Sequence, residues 1–143
     1  MIVPDINLLV YAYNADAPLH LPAKRWWEHT LGDDEPVGLP WAVILGFIRL
    51  MTHPRVVERP LASAEAMAMA RSWLEQPSVQ ILEPGPRHLS LLEKLLEQAG
   101  VAGSLTTDVH LAALAIEHRC TMCTTDTDFA RFSGLRIVDP VRE

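Results

Sequence analysis

Short apolar runs of strand length alternate with longer segments of helical spacing along the whole of this 143-residue chain. The strand-like runs are "MIVPD" (1–5), "EPVGLP" (35–40), "SVQILEPG" (78–85), "CTMCTT" (120–125) and "FSGLRIVDP" (132–140). Between the first four lie segments long enough for one or two helices. Antiparallel neighbours can be joined by a tight turn, but parallel ones need a crossover of about a dozen residues or more. The alternation therefore predicts an α/β chain whose parallel sheet is covered on both faces.

The intervening segments carry the periodicity and the stop signals of helices. "NLLVYAYNADA" sets Leu8, Leu9, Ala12 and Tyr13 on one side, with Asn7 or Asp5 placed to cap it. "HLPAKRWWEHTLGD" has Pro22 near its start and Gly32 after its end. "WAVILGFIRLMTHP" is ended by Pro54, and "SAEAMAMARSWLEQP" is predicted to be capped by Ser63. "PRHLSLLEKLLEQAGVAG" is amphipathic through Leu89, Leu92, Leu95 and Leu96 and is closed by Gly100. "TTDVHLAALAIEHR" is a second helix of that kind.

At 49% apolar and 21% charged residues, the composition is that of a globular chain. Its length suits one domain, expected to span 1–143. No apolar run approaches the ~20 residues of a membrane span. "MIVPDINLLVYAYNA" lacks the basic start of a secretory signal, so a cytoplasmic location is expected. The net charge of −6 argues against bulk electrostatic binding of duplex DNA, though not against a nuclease whose metal ions offset clustered acids. Cys120 and Cys123 form a C-x-x-C without a second ligand pair, and read as two ordinary strand cysteines rather than a zinc knuckle.

The chemistry concentrates in four aspartates. Asp5 follows the first strand, Asp126 and Asp128 follow the fourth, and Asp108 opens a late helix as a cap would. In open parallel sheets, functional groups collect beyond the carboxyl ends of the strands, so these four are placed to converge. Each alone has an ordinary reading as a cap or turn residue. Together they would repel one another without a cation, and hard Mg²⁺ or Mn²⁺ suits their oxygens.

Four stretches, "MIVPDINLLVYAYN", "LPWAVILGFIRLMTHPRV", "LTTDVHLAALAIEH" and "TTDTDFARFSGLRIVDP", resemble in order the PIN-domain proteins, specifically VapC-type toxins of bacterial toxin–antitoxin pairs. The resemblance runs from residue 1 to about 140. It implies a three-layer α/β/α PIN-like fold with a central parallel sheet of four to five short strands. It implies a Mg²⁺- or Mn²⁺-dependent ribonuclease, frequent homodimers and a cognate VapB-type antitoxin. By the same resemblance Asp5, Asp108 and Asp126 match metal-binding aspartates, and Asp128 matches the further acid after the last core strand. Gly46 stands where many members carry a glutamate.

The activity expected on that basis is hydrolysis of RNA phosphodiesters, leaving 5′-phosphate and 3′-hydroxyl ends and inhibiting translation or growth. The ion is held by Asp5, Asp108 and Asp126, with Asp128 positioning water or a second ion and Asn7 and Arg49 contacting substrate. The basic stretch "RLMTHPRVVER" with Arg49, His53, Arg55 and Arg59 suits RNA phosphates or an acidic partner face, and equally a solvated helix end. His110 and His118 read as surface or packing residues. Of Trp26, Trp27 and Trp41, adjacent Trp26 and Trp27 cannot both face one core. Apolar helix surface near 8–30 and 42–57 suits an antitoxin segment laid into a groove. The alternatives are a PIN-like module that binds RNA or a partner without catalysis, and a housekeeping RNA-processing nuclease. A receiver-like signalling domain is disfavoured, because neither Lys24 nor Lys94 follows a late strand.

Overall fold

In the computed structural model, which describes residues 1–100 and 106–142, five parallel strands form one sheet with the order β3-β2-β1-β4-β5. The strands are β1 (Ile2–Pro4), β2 (Val37–Pro40), β3 (Val79–Leu82), β4 (Thr121–Cys123) and β5 (Arg136–Val138). The helices are α1 (Ile6–Tyr13), α2 (His20–Gly32), α3 (Trp41–Met51), α4 (Ser63–Leu74), α5 (His88–Ala99) and α6 (Thr106–Glu117). The tail of the fifth predicted helix at 101–103 and Leu105 of "LTTD" lie outside the described residues.

The chain winds outward from β1 through β2 to β3, then returns across the sheet to β4 on the other side of β1. Right-handed crossovers put the helices of the outward path on one face and those of the return path on the other. Accordingly α1 packs on α2 and α3, α3 on α4, and α5 on α6. The result is the expected three-layer α/β/α fold. The strand order reverses between β1 and β4, which makes their carboxyl ends the switch point of the sheet.

Several local expectations are corrected by the packing. Ser63 is the first residue of α4 and not its cap. The cap is Ala62, whose N–H donates to Glu65 Oε1 at 3.0 Å, half of a capping box. α3 does end ahead of Pro54, at Met51, where the Thr52 N–H and hydroxyl both bond the Ile48 carbonyl. α5 buries His88, Leu91 and Leu95, while Leu89 stays 69% exposed. Its inward face is rotated by about a residue, since His88 finds a partner in His110 on α6 at 2.9 Å. Gly100 closes α5 in the left-handed conformation that glycine adopts without strain (φ 77°).

The outward-path layer holds an aromatic group. Phe47 and Trp73 meet edge-on with ring centroids 4.6 Å apart, Tyr13 lies 5.5 Å from Phe47, and Trp27 lies 5.7 Å from Trp73. Trp27 is fully buried here and Trp26 is half-buried, which settles how the two neighbours divide. Buried Trp73 donates its Nε1–H to the Tyr13 hydroxyl at 2.7 Å. Tyr13→Phe keeps the ring packing but orphans that donor. We expect a loss of about 1–3 kcal/mol in urea unfolding, against near-neutrality if the hydroxyl were merely solvated.

Candidate active site

β1 and β4 run side by side in parallel, with Pro4 opposite Cys123. The next residues, Asp5 and Thr124, therefore leave the sheet together at its switch point. The Asp5 N–H extends the ladder one step by donating to the Cys123 carbonyl at 2.9 Å. Asp5 also caps α1: its Oδ1 accepts from the Ile6 N–H at 2.7 Å. Its other oxygen, Oδ2, accepts from the Thr124 hydroxyl at 2.8 Å. That hydroxyl in turn accepts from the Asp126 N–H at 2.9 Å. Asp126 then caps a 3₁₀ helix, Thr127–Arg131, by taking the Asp128 N–H on Oδ1 at 2.9 Å. One chain of hydrogen bonds thus fixes the first acid of the protein against the two that follow β4.

Asp5 is 5% exposed and Thr124 1%. Burial pushes the Asp5 carboxyl up, the hydrogen bonds from Thr124 and Ile6 pull it down, and the charge on Asp126 raises it again. Asp108 enters from the first turn of α6, inside the helix rather than as its cap. Its pKa is raised to about 6, first by burial and then by Asp5, Asp126 and Asp128, with Arg131 acting in the opposite direction. All four predicted aspartates therefore lie in one another's field.

Among the described residues no three His, Cys, Asp or Glu side chains stand close enough to hold an ion directly. The donor set still suits Mg²⁺ or Mn²⁺. Mg²⁺ keeps several waters and typically takes only one or two carboxylates, so spaced hard oxygens that repel one another fit it. Zinc with thiolate ligands does not fit. Cys120 and Cys123 are buried and free, and burial pushes the Cys123 thiol up to about 12.

The remaining sequence-predicted residues are less closely drawn in. Asn7 is exposed on the first turn of α1, two residues beyond Asp5. Arg49 is exposed in the last turn of α3, and its guanidinium makes no hydrogen bond or ion pair with the described residues. Arg59 pairs with Asp16 at 3.2 Å, and His53 accepts from the Arg55 N–H at 3.1 Å. His110 bonds His88, and His118 bonds the Glu83 carbonyl at 2.8 Å, both packing roles. Trp41 is half-exposed at the start of α3. Gly46 has a packing reason: a Cβ there would stand 2.6 Å from Ile6 Cδ1 and 3.1 Å from its Cγ1. Ile6 directly follows Asp5, so the missing side chain lets α3 lie close against the start of α1.

Two participants escape a reading by residue type. Thr124 ties Asp5 to Asp126, and only its place before "TDTD" in a strand hints at it. Arg131 donates from Nε to the Asp128 carbonyl at 3.1 Å and from Nη2 to Asp128 Oδ1 at 3.3 Å. Its spacing of three from Asp128 was the available signal.

Residues 2–135 match the family described as PIN domain. Over all 143 residues, and the full length of the relative, the chain is 47% identical to Ribonuclease VapC33 of Mycobacterium tuberculosis. It is 38% identical to Ribonuclease VapC37 of the same organism over 140 residues, covering 98% of this chain and 97% of that one. Among solved structures, VapBC-1 from nontypeable Haemophilus influenzae superposes with a TM-score of 0.70 at 16% identity, covering 99% of this chain and 100% of that chain. Mycobacterium tuberculosis VapC20, described as a Sarcin-Ricin loop cleaving toxin, superposes at 0.66 with 19% identity, covering 95% and 99%. At these identities the structures speak to the fold alone.

The acid cluster makes stability depend on pH in a defined direction. Between the ordinary carboxylate range and about 6, folded Asp108 holds a proton that the unfolded chain has already released. Without divalent metal, folded stability therefore falls as the pH rises through that window, and raised Asp5 acts in the same sense. Asp108→Asn removes the Asp108 part. Measured by thermal unfolding in EDTA, the variant is expected to gain on the parent as the pH rises from about 4 to about 7. A gap independent of pH would show that Asp108 does not share the field.

Proposed function

The chain belongs to the PIN-domain family, and on that premise we propose that it is the toxin of a VapBC-type toxin–antitoxin pair, a metal-dependent endoribonuclease. The carrying observation is the meeting of Asp5, Asp108 and Asp126, with Asp128, at the switch point of the sheet. The full-length likeness to a relative named a ribonuclease supports the same reading. The VapC names of the full-length relatives support a VapB-type antitoxin as partner.

On this reading Asp5, Asp108 and Asp126 hold Mg²⁺, with Mn²⁺ as an alternative, partly through water. When bound, the ion lowers the pKa of a coordinated water and stabilises charge developing on a phosphate. The chain supplies the rest. Asp5 is held rigid, with both oxygens already accepting, so its charge has a fixed position. Asp126 has one oxygen committed to the Asp128 N–H and donates its own N–H to the Thr124 hydroxyl, which ties it to Asp5. Asp128 positions water at the rim, and Asn7 and Arg49 contact the RNA strand. Hydrolysis leaves 5′-phosphate and 3′-hydroxyl ends and inhibits translation or growth. One PIN domain makes up the chain, which acts as a homodimer in the cytoplasm. No described helix is long and apolar enough to cross a membrane.

The test is incubation of the purified protein with a mixed pool of structured RNAs in Mg²⁺, in Mn²⁺ and in EDTA, beside Asp5→Asn. Cleavage is expected to need both metal and Asp5, with a loss of at least about 10²-fold in the variant, since a metal contributes several kcal/mol of charge stabilisation. Mg²⁺ is also expected to raise the melting temperature of the parent more than that of Asp5→Asn. RNA binding without cleavage under every condition would transfer the protein to the binding-only class.

A further inference from the structure

A cluster of carboxylates in a chain of net charge −6 is a poor landing place for RNA, whose every residue carries a negative phosphate. Some cation has to meet the strand beside the acids. Arg49 is exposed at the far end of α3, eight residues from its start. Arg55, on the loop after α3, is exposed, and Arg59 is engaged with Asp16. Arg131 is different, because it is built into the acid group itself.

The 3₁₀ helix after β4 has three residues per turn, so Asp128 and Arg131 stand one above the other. The guanidinium is clamped twice, to the Asp128 carbonyl at 3.1 Å and to Asp128 Oδ1 at 3.3 Å. Those two bonds use two of the five N–H donors of an arginine and leave the others for a ligand. The side chain remains 37% exposed. Its clamp is anchored in turn: Asp128 donates its N–H to Asp126, and Asp126 donates to Thr124, which holds Asp5. The charge is therefore fixed relative to the acids, and Asp108 feels it.

We propose that Arg131 is an RNA-binding residue of this site, its planar guanidinium gripping a phosphate of the bound strand beside the carboxylates. A guanidinium offers paired donors that match phosphate oxygens, and one already oriented loses little freedom on binding. Asp128 is then the residue that aims it. This inference rests on the ribonuclease reading and names how that site takes hold of its substrate. The plain alternative is a brace that only stabilises the 3₁₀ turn.

The experiment uses a fluorescein-labelled RNA hairpin drawn from the cleaved pool. Binding is followed by anisotropy in EDTA over a KCl series, and cleavage in Mg²⁺, for the parent, Arg131→Gln and Arg131→Lys. The glutamine can keep a hydrogen bond to the Asp128 carbonyl without the charge. Arg131→Gln is expected to weaken RNA binding roughly ten- to hundred-fold. It should lower the salt dependence by about one phosphate contact, a slope change near 0.7 for a single strand. It should also raise KM with kcat largely retained. Arg131→Lys recovers the salt slope but only part of the affinity, because a point charge replaces a fork. Unchanged affinity, slope and KM alongside a lowered melting temperature would overturn the proposal and leave the brace. A parent that cleaves with metal and Asp5 while Arg131→Gln matches it sinks this inference alone. A parent that neither binds nor cleaves sinks the ribonuclease reading with it.

Discussion

The hydrogen bond from the Thr124 hydroxyl to Asp5 is the contact on which the site depends. A carboxylate buried to this degree is costly unless its oxygens are occupied. Asp5 has one oxygen satisfied by the helix it starts and the other by the strand beside it. The acid therefore does two jobs with one side chain. It ends β1 and begins α1, and it locks the sheet's central pair at the point where the topology reverses. Without the parallel register of β1 and β4, neither partner would be in reach.

From that lock the rest of the site follows by short steps. Thr124 passes the constraint to Asp126, Asp126 to Asp128, and Asp128 to Arg131. α6 brings Asp108 in from the other layer. The arrangement is unfavourable by itself: Asp108 is raised first by burial and then by the charges of Asp5, Asp126 and Asp128. Such tension is common where a fold serves chemistry rather than its own stability. A divalent cation would relieve it, and Arg131 at the edge does so in part.

The layered sheet was legible because strand and helix periods differ and each strand is bounded by turn residues. The positions of Asp5, Asp126 and Asp128 at strand ends were legible, because Asp5 closes "MIVPD" and the other two follow "CTMCTT". Their meeting with Asp108 is consistent with the rule that sites gather at the carboxyl ends of parallel strands. What escaped depended on contacts distant in sequence. Leu89 belongs to the apolar stripe by spacing, yet His88 takes the inward position because His110 waits for it across the layer. Ser63 looked like a cap, but Glu65 reaches back to the Ala62 N–H instead. Gly46 read as a lost ligand, and only the position of Ile6 shows what its small size is for. Thr124 and Arg131 are ordinary residue types whose partners alone give them meaning.

The lock between Asp5 and Thr124 joins residues 119 positions apart. β4 enters the sheet beside β1, so this central pair cannot close until the segment carrying β2, β3 and their helices has been made. Contacts of such long range are slow to form, because the intervening chain must be ordered first. A chain truncated before β4 carries the first acid of the site and none of those that follow the fourth strand. Topology thus ties the gathering of the carboxylates to the closing of the most distant strand pair in the sheet.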